Sequence, residues 1–89
     1  MKIWVLSKNK CYSTDLMDAN VSLFYKQEDA LAIFNASKEQ FIKEQLEILN
    51  ITDIEDSSAV ITELDTYYSY VSEGGDLEFR LTIMEKEVL

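Results

Sequence analysis

The chain has 89 residues, of which 47% are hydrophobic and 11% aromatic, and it carries a formal net charge of −9. This length fits one domain with one core, and the apolar fraction excludes a disordered acidic tail. The sequence contains no histidine and a single cysteine, Cys11. Histidine-dependent catalytic triads, histidine–zinc sites, thiolate clusters and an internal disulfide are therefore excluded.

The first 25 residues predict two short strands. Ile3–Ser7 is rich in β-forming residues and is followed by Lys8–Lys10, which is typical of a turn. Val21–Tyr25 predicts the second strand, and the polar stretch Cys11–Asn20 is expected to be irregular, with at most a short strand or turn. The apolar run at the start is too short for a signal-peptide core or a membrane span, so we expect a reducing, cytoplasmic compartment.

A long amphipathic helix is predicted for Gln27–Leu49. This stretch has no glycine or proline, and Glu28 and Asp29 suit the positive end of the helix dipole. At about 100° per residue, eight apolar side chains fall on one face that can lie on a sheet: Ala30, Leu31, Phe34, Phe41, Ile42, Leu46, Ile48 and Leu49. Lys38 and Gln45 fall inside this face. Either the lysine extends its ammonium group into water, or this polar seam marks a contact with a partner or ligand.

Two further strands are predicted to form a hairpin around Gly74–Gly75. Tyr67–Ser72 and Leu77–Ile83 flank this pair, and adjacent glycines supply the positive φ angles that a tight turn requires. A two-residue turn places Tyr70 opposite Phe79, whereas a five-residue loop shifts the register by one. Apolar and polar residues alternate along the second strand, which predicts one core face and one solvent face.

These elements predict one α+β domain over residues 1–89. Its antiparallel sheet has three to five strands and is covered on one face by one long helix. Ala59–Leu64 either extends the tyrosine-rich strand backwards or forms a short strand of its own. Asn50–Ser58 is an acidic connection whose spacing resembles the opening of a calcium loop. It lacks the turn glycine and the final glutamate of such loops, so we predict no metal site.

The negative charge is concentrated in residues 44–79. This stretch holds ten acidic residues and no lysine or arginine, whereas residues 1–43 hold six lysines against five acidic residues. The acidity either keeps a small protein soluble or forms a surface that is attracted to a basic partner. Large basic grooves are typical of nucleic-acid-binding proteins, so we expect a nucleic-acid-handling protein as the partner. Direct binding to nucleic acid or to an anionic membrane is not expected.

Six residues of the acidic stretch are predicted to bind this partner. Tyr67 is expected to point away from the core face, where a tyrosine among carboxylates can anchor a cationic side chain. The other five lie on or beside the hairpin: Glu63, Asp65, Glu73, Asp76 and Glu78. We predict no catalytic residue and no cofactor, and hence a protein that is not an enzyme.

The order of these features resembles the small acidic accessory proteins of phages and other mobile elements. The features are an opening strand at Met1–Ile3, a helix start at Lys26–Ala30, a tyrosine-rich hairpin and the ending Ile83–Val88. Such proteins are often small binders, including inhibitors of host nucleases, so the resemblance implies an inhibitor that occludes a basic surface. One alternative is a homo-oligomeric accessory domain, for example a homodimer, whose acidity serves solubility only. The other is a small carboxylate- and metal-dependent enzyme.

Overall fold

A computed structural model describes residues 1–13 and 15–88, with the backbone alone described at positions 16–18. The elements in chain order are β1 (Lys2–Tyr12), β2 (Asp15–Phe24), α1 (Gln27–Leu49), a short 3-10 helix (Ile54–Ser57), β3 (Val60–Leu64), β4 (Tyr67–Val71) and β5 (Leu77–Glu87). The strands form one antiparallel sheet in the order β2-β1-β5-β4-β3. Helix α1 packs on one face of this sheet. The predicted α+β fold is confirmed.

The first two strands are longer than the sequence pattern predicted. β1 continues through Lys8–Lys10, the predicted turn, and β2 begins at Asp15 rather than at Val21. The prediction of an irregular stretch at Cys11–Asn20 is therefore wrong, although Thr14 within it lies outside the described residues. β1 lies between β2 and β5, so both edges of its backbone are hydrogen-bonded. These backbone hydrogen bonds stabilise the extended conformation even where apolar and polar side chains do not alternate.

The β4–β5 hairpin has the predicted register. Tyr70 lies opposite Phe79, and Gly74–Gly75 has the positive φ angles expected of it, 86° and 80°. The connection is nevertheless longer than a two-residue turn. The backbone N–H of Ser72 donates to the carbonyl of Leu77 at 2.8 Å, which leaves four residues in the loop. β3 is a separate strand that pairs with β4.

The core lies between α1 and the facing side of the sheet. Its buried residues are Leu6, Ala30, Phe34, Phe41, Tyr68, Tyr70, Phe79, Leu81 and Ile83. The predicted burial of Phe34 and Phe41 is confirmed, and Ile42 packs against the core while staying partly buried. The alternation predicted for β5 is confirmed as well, because Phe79, Leu81 and Ile83 all face α1.

The last turn of α1 departs from the predicted apolar face. Ile48 is 72% exposed and Leu49 is 44% exposed, although both were predicted to lie on the sheet. Gln45 is the buried residue of this part of the helix, with 4% exposure. The reason is the limited length of the sheet: β4 ends at Val71 and β5 begins at Leu77, so the final helical turn extends beyond most of the strands.

Candidate functional site

Three segments of the chain meet at one end of the domain, which we call the turn end. They are the β1–β2 turn, the loop Glu73–Asp76 between β4 and β5, and the C-terminal turn of α1. The backbone N–H of Ser13 donates to the carbonyl oxygen of Asp76 at 2.7 Å and thereby joins the first two. The topology explains the meeting: β1 and β4 end here, β2 and β5 begin here, and α1 runs to this end from the opposite one.

A cavity of about 380 Å³ lies at the turn end, between α1 and the sheet. Tyr12, Ile48 and Leu49 form an apolar wall, and Glu73 and Asp76 lie at its rim. Tyr12 is 53% exposed, so the aromatic ring is accessible from solvent. An accessible aromatic and aliphatic wall with a carboxylate rim is suited to a side chain that is apolar along its length and cationic at its tip.

The electrostatics of the turn end favour a cation. Asp15, Glu47, Glu73 and Asp76 are all exposed there, and the connection that follows α1 carries three more carboxylates. The last turn of α1 contains no basic residue, so the negative end of the helix dipole adds to these charges. Among the described residues that line the cavity there is no lysine or arginine.

Gln45 is a buried polar residue that lines this cavity. Within residues 1–13 and 15–88, no side chain or backbone group forms a hydrogen bond with its amide. Its amide atoms are nevertheless not among the fully buried polar atoms without a partner, so they are accessible from the cavity. An amide offers one accepting oxygen and two N–H donors, so Gln45 brings unused hydrogen-bonding capacity to the cavity.

The six residues predicted to bind a partner do not form one surface. Glu73 and Asp76 are exposed at the turn end, on the rim of the cavity. Asp65 is exposed in the β3–β4 turn at the opposite end, and the strand β4 between them spans about 16 Å. Tyr67 is half-buried on the sheet face that α1 does not cover, rather than fully exposed.

The two remaining predicted carboxylates are paired within the chain. Oε1 of Glu63 lies 2.8 Å from Nζ of Lys38, and Oε1 of Glu78 lies 2.7 Å from Nη2 of Arg80. The side chain of Lys38 is only 18% exposed, so this lysine of the helix face contacts a carboxylate of the chain instead of extending into water. Both pairs reduce the negative charge that a partner can meet at these positions.

Two residues of the turn end were not predicted to belong to a site. Tyr12 lies in the stretch that was predicted to be irregular, and Ile48 was assigned to the buried helix face. Gln45 belongs to the polar seam inside the apolar arc of α1, for which a partner or ligand contact was one of two alternatives. A polar side chain at such a position is either exposed at the helix edge or buried beside a polar partner.

One side-chain polar atom of the described residues is fully buried without a partner, and it belongs to the core and not to the cavity. The Tyr68 side chain is 1% exposed, and its hydroxyl has no hydrogen-bond partner in the part of the chain that the structure describes. Desolvation by burial, with a smaller contribution from Glu63, raises the pKa of Tyr68 to about 12. This hydroxyl therefore stays protonated at all physiological pH values.

The fold defines a small α+β domain with a five-stranded antiparallel sheet and one covering helix. No protein-family model matches this chain, and neither the curated proteins nor the solved structures contain a significant match. None of the described helices is long and apolar enough to cross a membrane. The described side chains also contain no group of three or more acidic or cysteine residues that could hold a metal ion.

Proposed function

We propose that this chain is a non-enzymatic inhibitor of the kind carried by phages and other mobile elements, whose turn end docks on a basic surface of a nucleic-acid-handling protein. The observation that supports it is the meeting of Glu73, Asp76 and the C-terminal turn of α1 around accessible apolar side chains. Aromatic and aliphatic residues at the centre, with charged residues at the rim, are typical of protein interfaces.

The proposed mechanism is occlusion of a basic groove. Carboxylates at the turn end attract the partner over a distance, as phosphate groups do, and then lie against its lysine and arginine side chains. Tyr12 and Ile48 supply the apolar contact that holds the complex together. Nucleic acid and this protein would therefore compete for the same groove.

Affinity capture from host extract with two matched variants tests this proposal. One variant carries Glu73→Lys and Asp76→Lys at the turn end, and the other carries Glu39→Lys and Asp65→Lys at exposed positions elsewhere. Both variants change the net charge by the same amount. We expect the wild type to capture a protein that added DNA or RNA displaces. The turn-end variant should fail to capture this protein, and the other variant should still capture it. Equal loss in both variants would reduce the effect to overall charge, and capture that nucleic acid does not displace would exclude the proposed mechanism.

A homodimer is the second candidate, and one observation favours it. The sheet face that α1 leaves uncovered carries a cross-strand row in which Val5 lies opposite both Leu23 and Met84. Leu23 is 65% exposed and Met84 is 56% exposed, so a second copy would cover apolar surface. Light scattering over a range of protein concentrations tests this candidate. A constant monomer mass up to millimolar protein would remove it.

A further inference from the structure

We infer that the cavity at the turn end is a binding site for one arginine side chain of the partner, held by Gln45, Glu73, Asp76 and Tyr12. This inference rests on the proposed function, since it names the group of the basic partner that the site recognises. It goes beyond a general attraction between charges because it predicts a preference for arginine over lysine.

The first argument is the hydrogen-bonding capacity of Gln45. Its side chain is buried in the wall of the cavity, with 4% exposure and no hydrogen bond from any described residue. A guanidinium group has five N–H donors and no acceptor, so it can donate to the amide oxygen of Gln45. An arginine that enters the cavity would therefore form a hydrogen bond with an amide that no described residue engages.

The second argument is the charge at the rim. Glu73 and Asp76 are exposed on either side of Gly74–Gly75, and neither forms an ion pair with a described residue. The C-terminal turn of α1 has no basic residue and lines the same cavity, so the negative end of the helix dipole lies close to it. A cation that leaves water here gains carboxylates as compensation, and hydrogen bonds between a guanidinium and a carboxylate are among the strongest in proteins.

The third argument is the shape of the wall. The ring of Tyr12 is accessible, and a planar guanidinium can stack on such a ring while it donates sideways. Ile48 and Leu49 offer apolar surface to the methylene groups of the side chain. A lysine ammonium group is compact and strongly hydrated, so it gains less from a flat aromatic wall and from an amide oxygen. The volume of about 380 Å³ lies in the range of small-ligand pockets, roughly 300–1,000 Å³.

An NMR titration of the whole chain with three small compounds tests the inference. They are the N-acetyl methylamides of arginine, of lysine and of citrulline, which has the shape of arginine without its charge. We expect the arginine compound to shift the side-chain amide signals of Gln45 and the backbone signals of residues 73–76. The lysine compound should bind at least tenfold more weakly, and the citrulline compound should shift neither set of signals.

Two variants assign the contacts. Gln45→Met keeps the length of the side chain and removes its hydrogen-bonding groups, so it should fold and should bind the arginine compound about tenfold more weakly. The pair Glu73→Gln and Asp76→Asn should abolish the shifts, whereas the matched pair Glu39→Gln and Asp65→Asn should leave them unchanged. Equal binding of arginine and lysine, or wild-type affinity in Gln45→Met, would overturn the inference.

The arginine site and the proposed function can fail separately. If host extract yields a basic, nucleic-acid-handling partner that Gln45→Met captures as well as the wild type does, the arginine site is wrong and the function stands. If the arginine compound binds as expected but no such partner is captured, the site stands and the function is wrong. Shifts that spread evenly over all exposed carboxylates would overturn the site, since they indicate attraction to overall charge.

Discussion

Phe41 at the centre of α1 stacks on Phe79 of β5, with ring centroids 3.9 Å apart and ring planes 3° from parallel. Tyr70 of β4 meets the same Phe41 ring edge-on, at 5.0 Å between centroids. These contacts connect the helix to the two strands of the glycine-containing hairpin. The floor of the turn-end cavity, to which Tyr70 belongs, is therefore built directly on the core.

Replacement of Phe41 by alanine should destabilise the domain strongly. The side chain is 3% exposed, so its loss removes apolar burial and leaves a cavity, at a cost of about 3–5 kcal/mol. That cost is a large part of the stability of a small domain, roughly 5–15 kcal/mol. Chemical denaturation measures it. Ile33→Ala, on the same helix but 46% exposed, is the control and should cost far less. Similar losses in both variants would contradict the burial of Phe41 against the sheet.

Stability should fall at alkaline pH because of Tyr68. The pKa of this hydroxyl is raised from 10.0 to about 12, first by desolvation and second by Glu63. Between these values the unfolded chain loses the proton and the folded chain keeps it, so the free energy of unfolding decreases as the pH rises. The loss begins near pH 10 and reaches its full size, about 2–3 kcal/mol, only above the folded pKa of about 12.

Tyr68→Phe is the variant that isolates this group. It removes a buried hydroxyl that has no partner among the described residues, so stability at pH 7 should be unchanged or slightly higher. Urea denaturation at pH 9 and at pH 11.5 should then show a smaller alkaline loss than in the wild type. Tyr25→Phe, at a residue with 76% exposure, is the control. An equal alkaline loss in Tyr68→Phe and in the wild type would assign that loss to other groups.

Gly75→Ala should destabilise the β4–β5 loop through the backbone alone. The residue has a φ of +80°, which side-chain-bearing residues rarely adopt, while an added Cβ would meet nothing within 4 Å. The expected cost is therefore the conformational one, about 1–2 kcal/mol. Thermal unfolding measures it. Ser58→Gly, at a position with a φ of 59°, should have the opposite sign and raise stability or leave it unchanged.

The elements that the sequence predicted well are those in which local signals agree. The helix begins at Gln27 and ends at Leu49 as predicted, since neither glycine nor proline interrupts it and the apolar face is broad. The hairpin register followed from adjacent glycines and from strict alternation in β5. Register depends on these local features because a shift of one residue moves every apolar side chain to the other face.

The long β1–β2 hairpin could not be predicted from the alternation of side chains. Lys8 and Lys10 lie opposite Leu81 and Phe79, on the face that carries α1, where an apolar residue is the usual choice. Nζ of Lys10 lies 6.0 Å from the ring centroid of Phe41, so this lysine is placed over the core at its margin. The sheet extends beyond the area that one helix covers, and the polar residues of β1 occupy that margin.

The sequence predicted where along the chain the acidic residues lie. It did not predict which of their carboxylates lie close together in the fold. Asp65 and Glu73 are close in the chain and lie at opposite ends of β4, whereas Ser13 and Asp76 are distant in the chain and hydrogen-bonded to each other. Which charges share a surface depends on the order and direction of the strands, and one chain's charge pattern does not determine that order.

Tyr12→Ala should mainly increase the rate at which the protein dissociates from an arginine-rich peptide. The ring contributes apolar and stacking contact to a bound guanidinium and adds no charge, so the approach of the peptide should be unaffected. Surface plasmon resonance should show a dissociation rate at least several-fold faster with a similar association rate. Tyr25→Ala, an exposed tyrosine away from the cavity, is the matched control and should change neither rate.

Charge reversal at Glu73 and Asp76 should act mainly on the rate of association with the same peptide. Exposed carboxylates attract a basic ligand before contact, and salt screens this attraction beyond about 10 Å at 0.1 M ionic strength. We expect Glu73→Lys with Asp76→Lys to slow association strongly at about 0.05 M salt and only slightly at about 0.5 M salt. The pair Glu39→Lys and Asp65→Lys changes the net charge equally from positions away from the cavity, so it should slow association much less.

If both pairs slow association equally at low salt, the peptide responds to the net charge of −9 and not to the turn end. If the turn-end pair loses affinity equally at both salt concentrations, its carboxylates act through short-range contacts rather than by attraction over a distance.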